Sequence, residues 1–233
     1  MSAMGQSYQS DPLSRCFTLH VMKAMNWLGL VITSSKSIPK SRQNRHKVFM
    51  TTKIENITSR LGRPVTLVGL MGSGKSLLGK QLAKQLGLPF TDSDKAIEEA
   101  AGLTIADIFD IAGDTKFRAM ESRIIAELLA SEAMILATGG GAICNAKTAD
   151  LLLSKSVVIW LQASPETLFS RIGTTSTRPL LSGADPLAKL QHLDRVRRSH
   201  YEKAHIHVNT DGMSSERALA ALIDALDSFL PVK

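Results

Sequence analysis

The segment Gly69-Leu70-Met71-Gly72-Ser73-Gly74-Lys75-Ser76 carries the clearest chemistry in the chain. It has the spacing G-x-x-x-x-G-K-[ST] of a phosphate-binding loop. Glycines in such a loop let backbone N–H groups turn inward around phosphate oxygens. The amine of Lys75 would reach the β- and γ-phosphates, and the hydroxyl of Ser76 could ligate Mg²⁺. The following helix would direct its positive end at the same phosphates. Gly72, Ser73, Gly74, Lys75, Ser76 and the adjoining Leu77 are therefore the candidate nucleotide contacts, with Lys75 also a catalytic candidate. The loop argues for a nucleotide and says little about what accepts a phosphoryl group.

Three further groups of residues bear on the acceptor. Asp92-Ser93-Asp94 places two carboxylates at i and i+2. One could serve a metal-bound water and the other an acceptor hydroxyl; the same pattern also caps helices. Gly139-Gly140-Gly141 would bring backbone N–H groups close to a ligand, or make a flexible turn. Arg118, Arg171, Arg178, Arg195, Arg197 and Arg198 could grip carboxylate or phosphate through their planar forks, or lie solvated on the surface. The stretch 173–183 around Arg178 is polar and flanked by glycine, the pattern of a lid carrying a cation onto a transferring phosphate.

Elements that could position these residues follow from hydrophobic periodicity. Short apolar runs at 64–69, 89–92, 134–138, 156–161 and 205–209 predict five strands, and the 64–69 run ends where the glycine loop begins. Helical spacing predicts helices at 76–86, 94–101, 104–112, 115–131, 146–154, 165–171, 186–204 and 214–229. Strands that are continuously apolar and alternate with helices predict an α/β fold, a five-stranded parallel sheet with helices on both faces. Ligands of such sheets bind beyond the C-terminal ends of the strands, where the loop, the two carboxylates and the triple glycine all fall.

Composition narrows the partners. The chain has 233 residues and a net charge of +7. Nine of its 28 Lys/Arg but only two of its 21 Asp/Glu lie in residues 1–60, so residues 61–233 are neutral overall. A neutral body has no net field to draw nucleic acid. Residues 1–60 are rich in Ser, Lys, Arg and Asn without sustained periodicity, which predicts a basic, disordered or loosely attached extension before a domain at 61–233. Met50 offers an alternative start, leaving the first 49 residues either a start-site artefact or a true basic arm. Two cysteines, Cys16 and Cys144, make no disulfide framework, and no Cys/His cluster suggests zinc. His205 and His207 alternate on the last strand, as a partly buried face would place them. No apolar run approaches 18 residues, and the run 24–32 lacks a clear cleavage pattern after it. A cytoplasmic, monomeric protein acting on small molecules, without nucleic acid or membrane as partner, is expected.

Taken in order, the segments 69–76, 92–94, Phe117-Arg118-Ala119-Met120-Glu121, 139–142, Thr177-Arg178-Pro179-Leu180-Leu181 and the Arg197-to-Tyr201 spacing resemble the shikimate kinases, small kinases on the nucleoside monophosphate kinase-like fold. The resemblance covers about residues 60–230. It implies phosphorylation of the shikimate 3-hydroxyl by ATP, with Mg²⁺ as cofactor, in aromatic amino acid biosynthesis. It further implies that Asp94 holds the ring hydroxyls and orients or deprotonates the attacking one. Arg118 and Arg197 would bind the carboxylate, with Glu121 steadying Arg118, and Gly140 would offer a backbone N–H. Arg178 would face the γ-phosphate, Arg171 would lie against adenine, and Ser76 and Asp92 would serve the metal, Asp92 through water. The chain departs from the family pattern at Leu77, where threonine is usual, and at Ser199, where the last long helix usually has proline. Two rival expectations are a kinase for another hydroxy acid, such as gluconate, and a regulatory or nucleic-acid-binding module that uses the basic arm.

Overall fold

A computed structural model describes residues 51–130, 132–172 and 185–231. All of them fall in one of the chain's two units, Lys47–Lys233; the other unit, Met1–His46, lies outside the described residues. The strands are β1 (Val65–Val68), β2 (Phe90–Asp92), β3 (Ile135–Ala137), β4 (Val157–Gln162) and β5 (Ile206–Asn209). They form one parallel sheet in the order β2-β3-β1-β4-β5, as the apolar runs predict. The helices are α1 (51–60), α2 (Lys75–Leu86), α3 (Ser93–Ala101), α4 (Ile105–Leu129), α5 (Ala146–Lys155), α6 (Pro165–Ile172), α7 (Pro186–Tyr201) and α8 (Ser215–Phe229).

The strand order explains where a ligand can sit. The chain leaves β1 for the outer strand β2, returns to β3 beside β1, and then crosses to β4 on the other side. Loops after β1 and β3 therefore diverge on one edge of β1, and a crevice opens at the C-terminal ends. The sheet holds this position because it is buried on both faces. Val65, Leu67, Ile135, Val157, Ile159 and Leu161 pack with Leu78, Leu82 and Leu86 of α2 and Leu222 and Leu226 of α8. Alternate residues, Val68, Leu136, Val158 and Trp160, pack on the opposite side with Ile125, Leu152, Leu190 and Tyr201. The two-residue period of a strand divides its side chains between these faces in this way.

The expected 104–112 and 115–131 helices meet at Gly113, whose φ 75 and ψ 170 break the helical backbone between them, and together they make up α4. A left-handed φ is accessible to glycine, so the break in periodicity is a sharp kink. One expectation needs correction. Residues 51–60, assigned from composition to the loose extension, are instead the packed helix α1. Ile57 is fully buried in the α2–α8 core. Arg60 donates to the carbonyls of Asp227 (3.2 Å) and Leu230 (3.0 Å) at the end of α8 and pairs with the Asp227 carboxylate. Lys53 pairs with Asp224 at 2.6 Å. The apolar signal in α1 rests on few residues, which is why composition outweighed it.

His205 lies just before β5 and accepts a hydrogen bond from the Val158 N–H through Nδ1 at 3.0 Å, while His207 is exposed with its ring edge-on to Trp160. Neither joins a metal cluster; among the described residues no group of three or more His, Cys, Asp or Glu could hold an ion by itself. No helix among the described residues is long and apolar enough to cross a membrane.

Replacing Ile57 with Ala should lower unfolding free energy by about 2–4 kcal/mol, the usual cost of emptying a buried isoleucine site. Urea denaturation of the full chain measures this. A loss below about 0.5 kcal/mol, the scale of a surface change, would show that α1 does not share the core.

Candidate active site

The glycine loop spans the gap between β1 and α2. Gly74 caps α2 in the left-handed region (φ 91), and no side chain bonds the first-turn N–H groups. Helices α3, α4, α5, α7 and α8 are each closed by a capping Asp92, Thr104, Asn145, Asp185 or Ser214. The open start of α2 therefore leaves donors and the positive end of the helix dipole to a ligand. Gly72 (φ 81) makes the turn possible: a Cβ there would stand 2.7 Å from the Leu168 carbonyl oxygen of α6. Lys75 folds back along the loop and donates to the carbonyls of Gly69 (2.8 Å) and Leu70 (2.9 Å).

From this loop a chain of polar contacts runs across the sheet ends. Ser76 Oγ donates to Asp92 Oδ2 at 2.7 Å, and Asp92 Oδ1 accepts the Asp94 N–H at 3.1 Å as the cap of α3. Asp92 thus caps α3 through one oxygen and holds Ser76 through the other. Asp94 then faces the triple glycine: a Cβ on Gly139 would lie 2.6 Å from Asp94 Oδ1, so only glycine lets this carboxylate sit there. Burial, reinforced by repulsion from Asp92 and Glu121, raises the Asp94 pKa from 3.8 to about 6, although Lys75 opposes it.

The arginines separate by position. Arg118 lies with its guanidinium 3.1–3.4 Å from where a Gly141 Cβ would be. It pairs with buried Glu121 (2.8 Å) and with Asp114 (3.2 Å), and its guanidinium stands 5.1 Å over the Phe117 ring. Burial works against the Arg118 charge, but Glu121 and Asp114 outweigh it and hold the group above its ordinary pKa. Burial likewise raises Glu121, against the pull of Arg118. Arg197 comes to the same glycines, its Nη1 3.6 Å from a Gly140 Cβ position. Its neighbours do not. Arg198 pairs with Asp194 (2.6 Å) and stands over Trp160, and Arg195 is exposed. Of three arginines within one turn, helix geometry presents Arg197 to the crevice. Arg178 lies outside the described residues.

A cleft of about 730 Å³ opens along the loop, lined by Gly72 to Leu77, Asp92, Asp94, Gly139, Gly140, Arg171, Thr210 and Met213, among others. Its size suits a small-molecule ligand. Arg171 is held at the far end by Thr210, donating to its Oγ1 (3.0 Å) and its carbonyl (2.6 Å). The shikimate kinase family model matches residues 71–227. The chain belongs to this family. A shikimate kinase of Zymomonas mobilis subsp. mobilis is 43% identical over 173 residues, covering 74% of this chain and 98% of the relative. One from Caulobacter vibrioides is 44% identical over 164 residues, covering 70% and 82%. The solved shikimate kinase from Acinetobacter baumannii, in complex with shikimate, matches with a TM-score of 0.68 and 35% identity over 71% of this chain and 93% of its own.

Several residues of this shikimate kinase family site escaped the sequence reading. Thr210 and Met213 follow β5, where no motif marks them, yet both line the cleft. Ser93, read only as the spacer between two acids, accepts the Gly139 N–H through Oγ at 3.2 Å. Tyr201 donates to the Gly140 carbonyl at 2.5 Å. The Arg197-to-Tyr201 spacing marked it as part of the family pattern, but not the glycine carbonyl it holds.

The raised Asp94 pKa has a thermodynamic consequence. Between pH 3.8 and about 6 the folded protein binds a proton here that the unfolded chain has released. This group's contribution to stability is therefore full at low pH and falls as pH rises through that window. Asp94→Asn should stabilise the free protein by about 1–2 kcal/mol at about pH 7.5 and lose most of that gain near pH 4. Denaturant titrations at both pH values test this; equal stability of the two proteins at about pH 7.5 would contradict a buried, penalised carboxylate.

Proposed function

We propose that this protein transfers the γ-phosphoryl group of ATP to the 3-hydroxyl of shikimate, yielding shikimate 3-phosphate and ADP. One observation carries the acceptor assignment. The triple glycine has a carboxylate, Asp94, at one side and two guanidinium groups, Arg118 and Arg197, at the other. A small polyhydroxy acid matches that pattern, with hydroxyls toward Asp94 and its carboxylate between the arginines. Gly140 would add a backbone N–H. The kinship with shikimate kinases supports the same acceptor.

Asp94 would hold the ring hydroxyls and take the proton from the attacking oxygen. Its pKa of about 6 leaves it ionised near neutral pH yet basic enough to accept a proton. Lys75 would leave the Gly69 and Leu70 carbonyls for the β- and γ-phosphates, where it neutralises developing charge. The uncapped start of α2 and the loop glycines would hold the phosphates. Leu77 would line the nucleotide side of the cleft, Arg171 would lie against the adenine, and Arg178 would bring a cation to the transferring group. Little covalent help is needed, because phosphoryl transfer depends on positioning and charge neutralisation.

The paired Ser76 hydroxyl and Asp92 carboxylate fit Mg²⁺, a hard cation that accepts one or two protein oxygens and completes its shell with phosphate and water. Bound there with ATP, the ion would offset negative charge on the phosphates. The absence of a membrane-crossing helix among the described residues and the lack of a disulfide framework support a cytoplasmic enzyme.

A coupled ADP-release assay with ATP, Mg²⁺ and shikimate tests the function, with gluconate and a nucleoside monophosphate as control acceptors. Turnover should depend on shikimate; turnover with gluconate alone would overturn the acceptor assignment. Lys75→Met should lower kcat by about a hundredfold or more. Arg118→Ala should raise the shikimate KM by about tenfold or more and leave the ATP KM within about twofold, since an ionic hydrogen bond is lost at one ligand only. Equal losses for both ligands would remove Arg118 from carboxylate binding.

A further inference from the structure

The triple glycine poses a mechanical problem. Glycine peptides rotate at little steric cost, and a rotated peptide would present a carbonyl where a ligand needs an N–H. Each carbonyl of the triplet is tied. Gly139 O accepts from the Ala142 N–H (3.2 Å) and Gly141 O from the Cys144 N–H (3.0 Å), both local turn contacts. Gly140 O is the one held by a distant side chain, the hydroxyl of Tyr201. In a trans peptide the N–H points opposite the carbonyl. Tying these oxygens therefore directs the Gly140 and Gly141 N–H groups away from their anchors.

Tyr201 is itself firmly placed. It is fully buried, and its ring stacks on Trp160 of β4 with centroids 5.6 Å apart. It lies one turn beyond Arg197 on α7, and the Arg197 guanidinium comes to the same glycine, its Nη1 3.6 Å from a Gly140 Cβ position. Burial raises the phenol pKa well above its ordinary value, so the hydroxyl stays a donor. The hydroxyl thus holds the one glycine that the arginine also faces.

We propose that Tyr201 is a positioning residue for the acceptor site: its hydroxyl fixes the Gly140–Gly141 peptide that the Arg197 guanidinium faces. Its hydroxyl bonds the glycine triplet and not the nucleotide loop, so loss of the hydroxyl should fall on the acceptor. This role rests on the assignment of shikimate as the acceptor.

Tyr201→Phe keeps the ring and its stacking on Trp160 and removes only the hydroxyl. Shikimate KM should rise about fivefold to thirtyfold, the range for one lost hydrogen bond and a stranded carbonyl, with ATP KM within about twofold. Calorimetric binding of shikimate to the full chain should weaken by the same factor. In an Arg197→Lys background the Tyr201→Phe change should add less than about half of that factor on a logarithmic scale, because the two residues act together. A merely structural tyrosine would lower thermal stability and impair both ligands in proportion, and that result would overturn the proposal. So would unchanged shikimate binding in a variant whose wild-type parent binds it. Wild-type protein that binds no shikimate would overturn the acceptor assignment first, and the role of Tyr201 with it.

Discussion

The site depends on keeping three carboxylates and three cations near one another at the ends of a buried sheet. Asp92, Asp94 and Glu121 repel one another, and the raised Asp94 pKa records that cost together with burial. Lys75, Arg118 and Arg197 offset it. Glu121 is buried because Arg118 pairs with it, and Arg118 faces the glycine loop because Glu121 and Asp114 hold its other edges. A buried pair of this kind adds little net stability. What it supplies is a guanidinium already desolvated and oriented, at an entropic cost met during folding rather than on binding.

The sheet order converts that chemistry into a single site. β3 inserted between β2 and β1 sets Asp92 at the end of one strand beside Ala137 at the end of the next. The residues that follow, Asp94 and the triple glycine, are then forced together. Contact is so close that a methyl group at Gly139 would overlap the Asp94 carboxylate. Asp92 joins this half to the phosphate loop through one oxygen for Ser76 and one for the α3 start. Two hydrogen bonds thus link Ser76 to the start of the helix that carries Asp94.

The fold and the central residues were legible because their signals are local. The glycine loop, the paired acids and the apolar runs are each contained in fewer than ten consecutive residues, and period alone separates strand from helix. What escaped was built across long separations. Ser93 reaches Gly139 over 46 residues, Tyr201 reaches Gly140 over 61, and Arg171 reaches Thr210 over 39. Ser93 and Tyr201 lie inside segments already singled out, but nothing in those segments says which backbone group each holds, and no motif marks Thr210. Choosing among Arg195, Arg197 and Arg198 also needed the structure. All three lie within one helical turn, and only the rotation of α7 against the sheet decides which faces the crevice.

Two of the nine basic residues in the amino-terminal segment belong to the fold itself. Residues 1–60 hold the whole net excess, which suggests a region turned toward an anionic partner. Yet the anions met by Lys53 and Arg60 are in the same chain: Asp224 and Asp227 on α8, with the Asp227 and Leu230 carbonyls at its end. A guanidinium at a helix C-terminus also meets the negative end of the dipole, so Arg60 satisfies carbonyls that the helix itself leaves open. These two cations act with Ile57 beneath them as a clamp on the last helix. The charge of α1 is therefore part of the fold's own electrostatics, and a count of basic residues becomes an argument about partners only after such internal pairs have been removed from it.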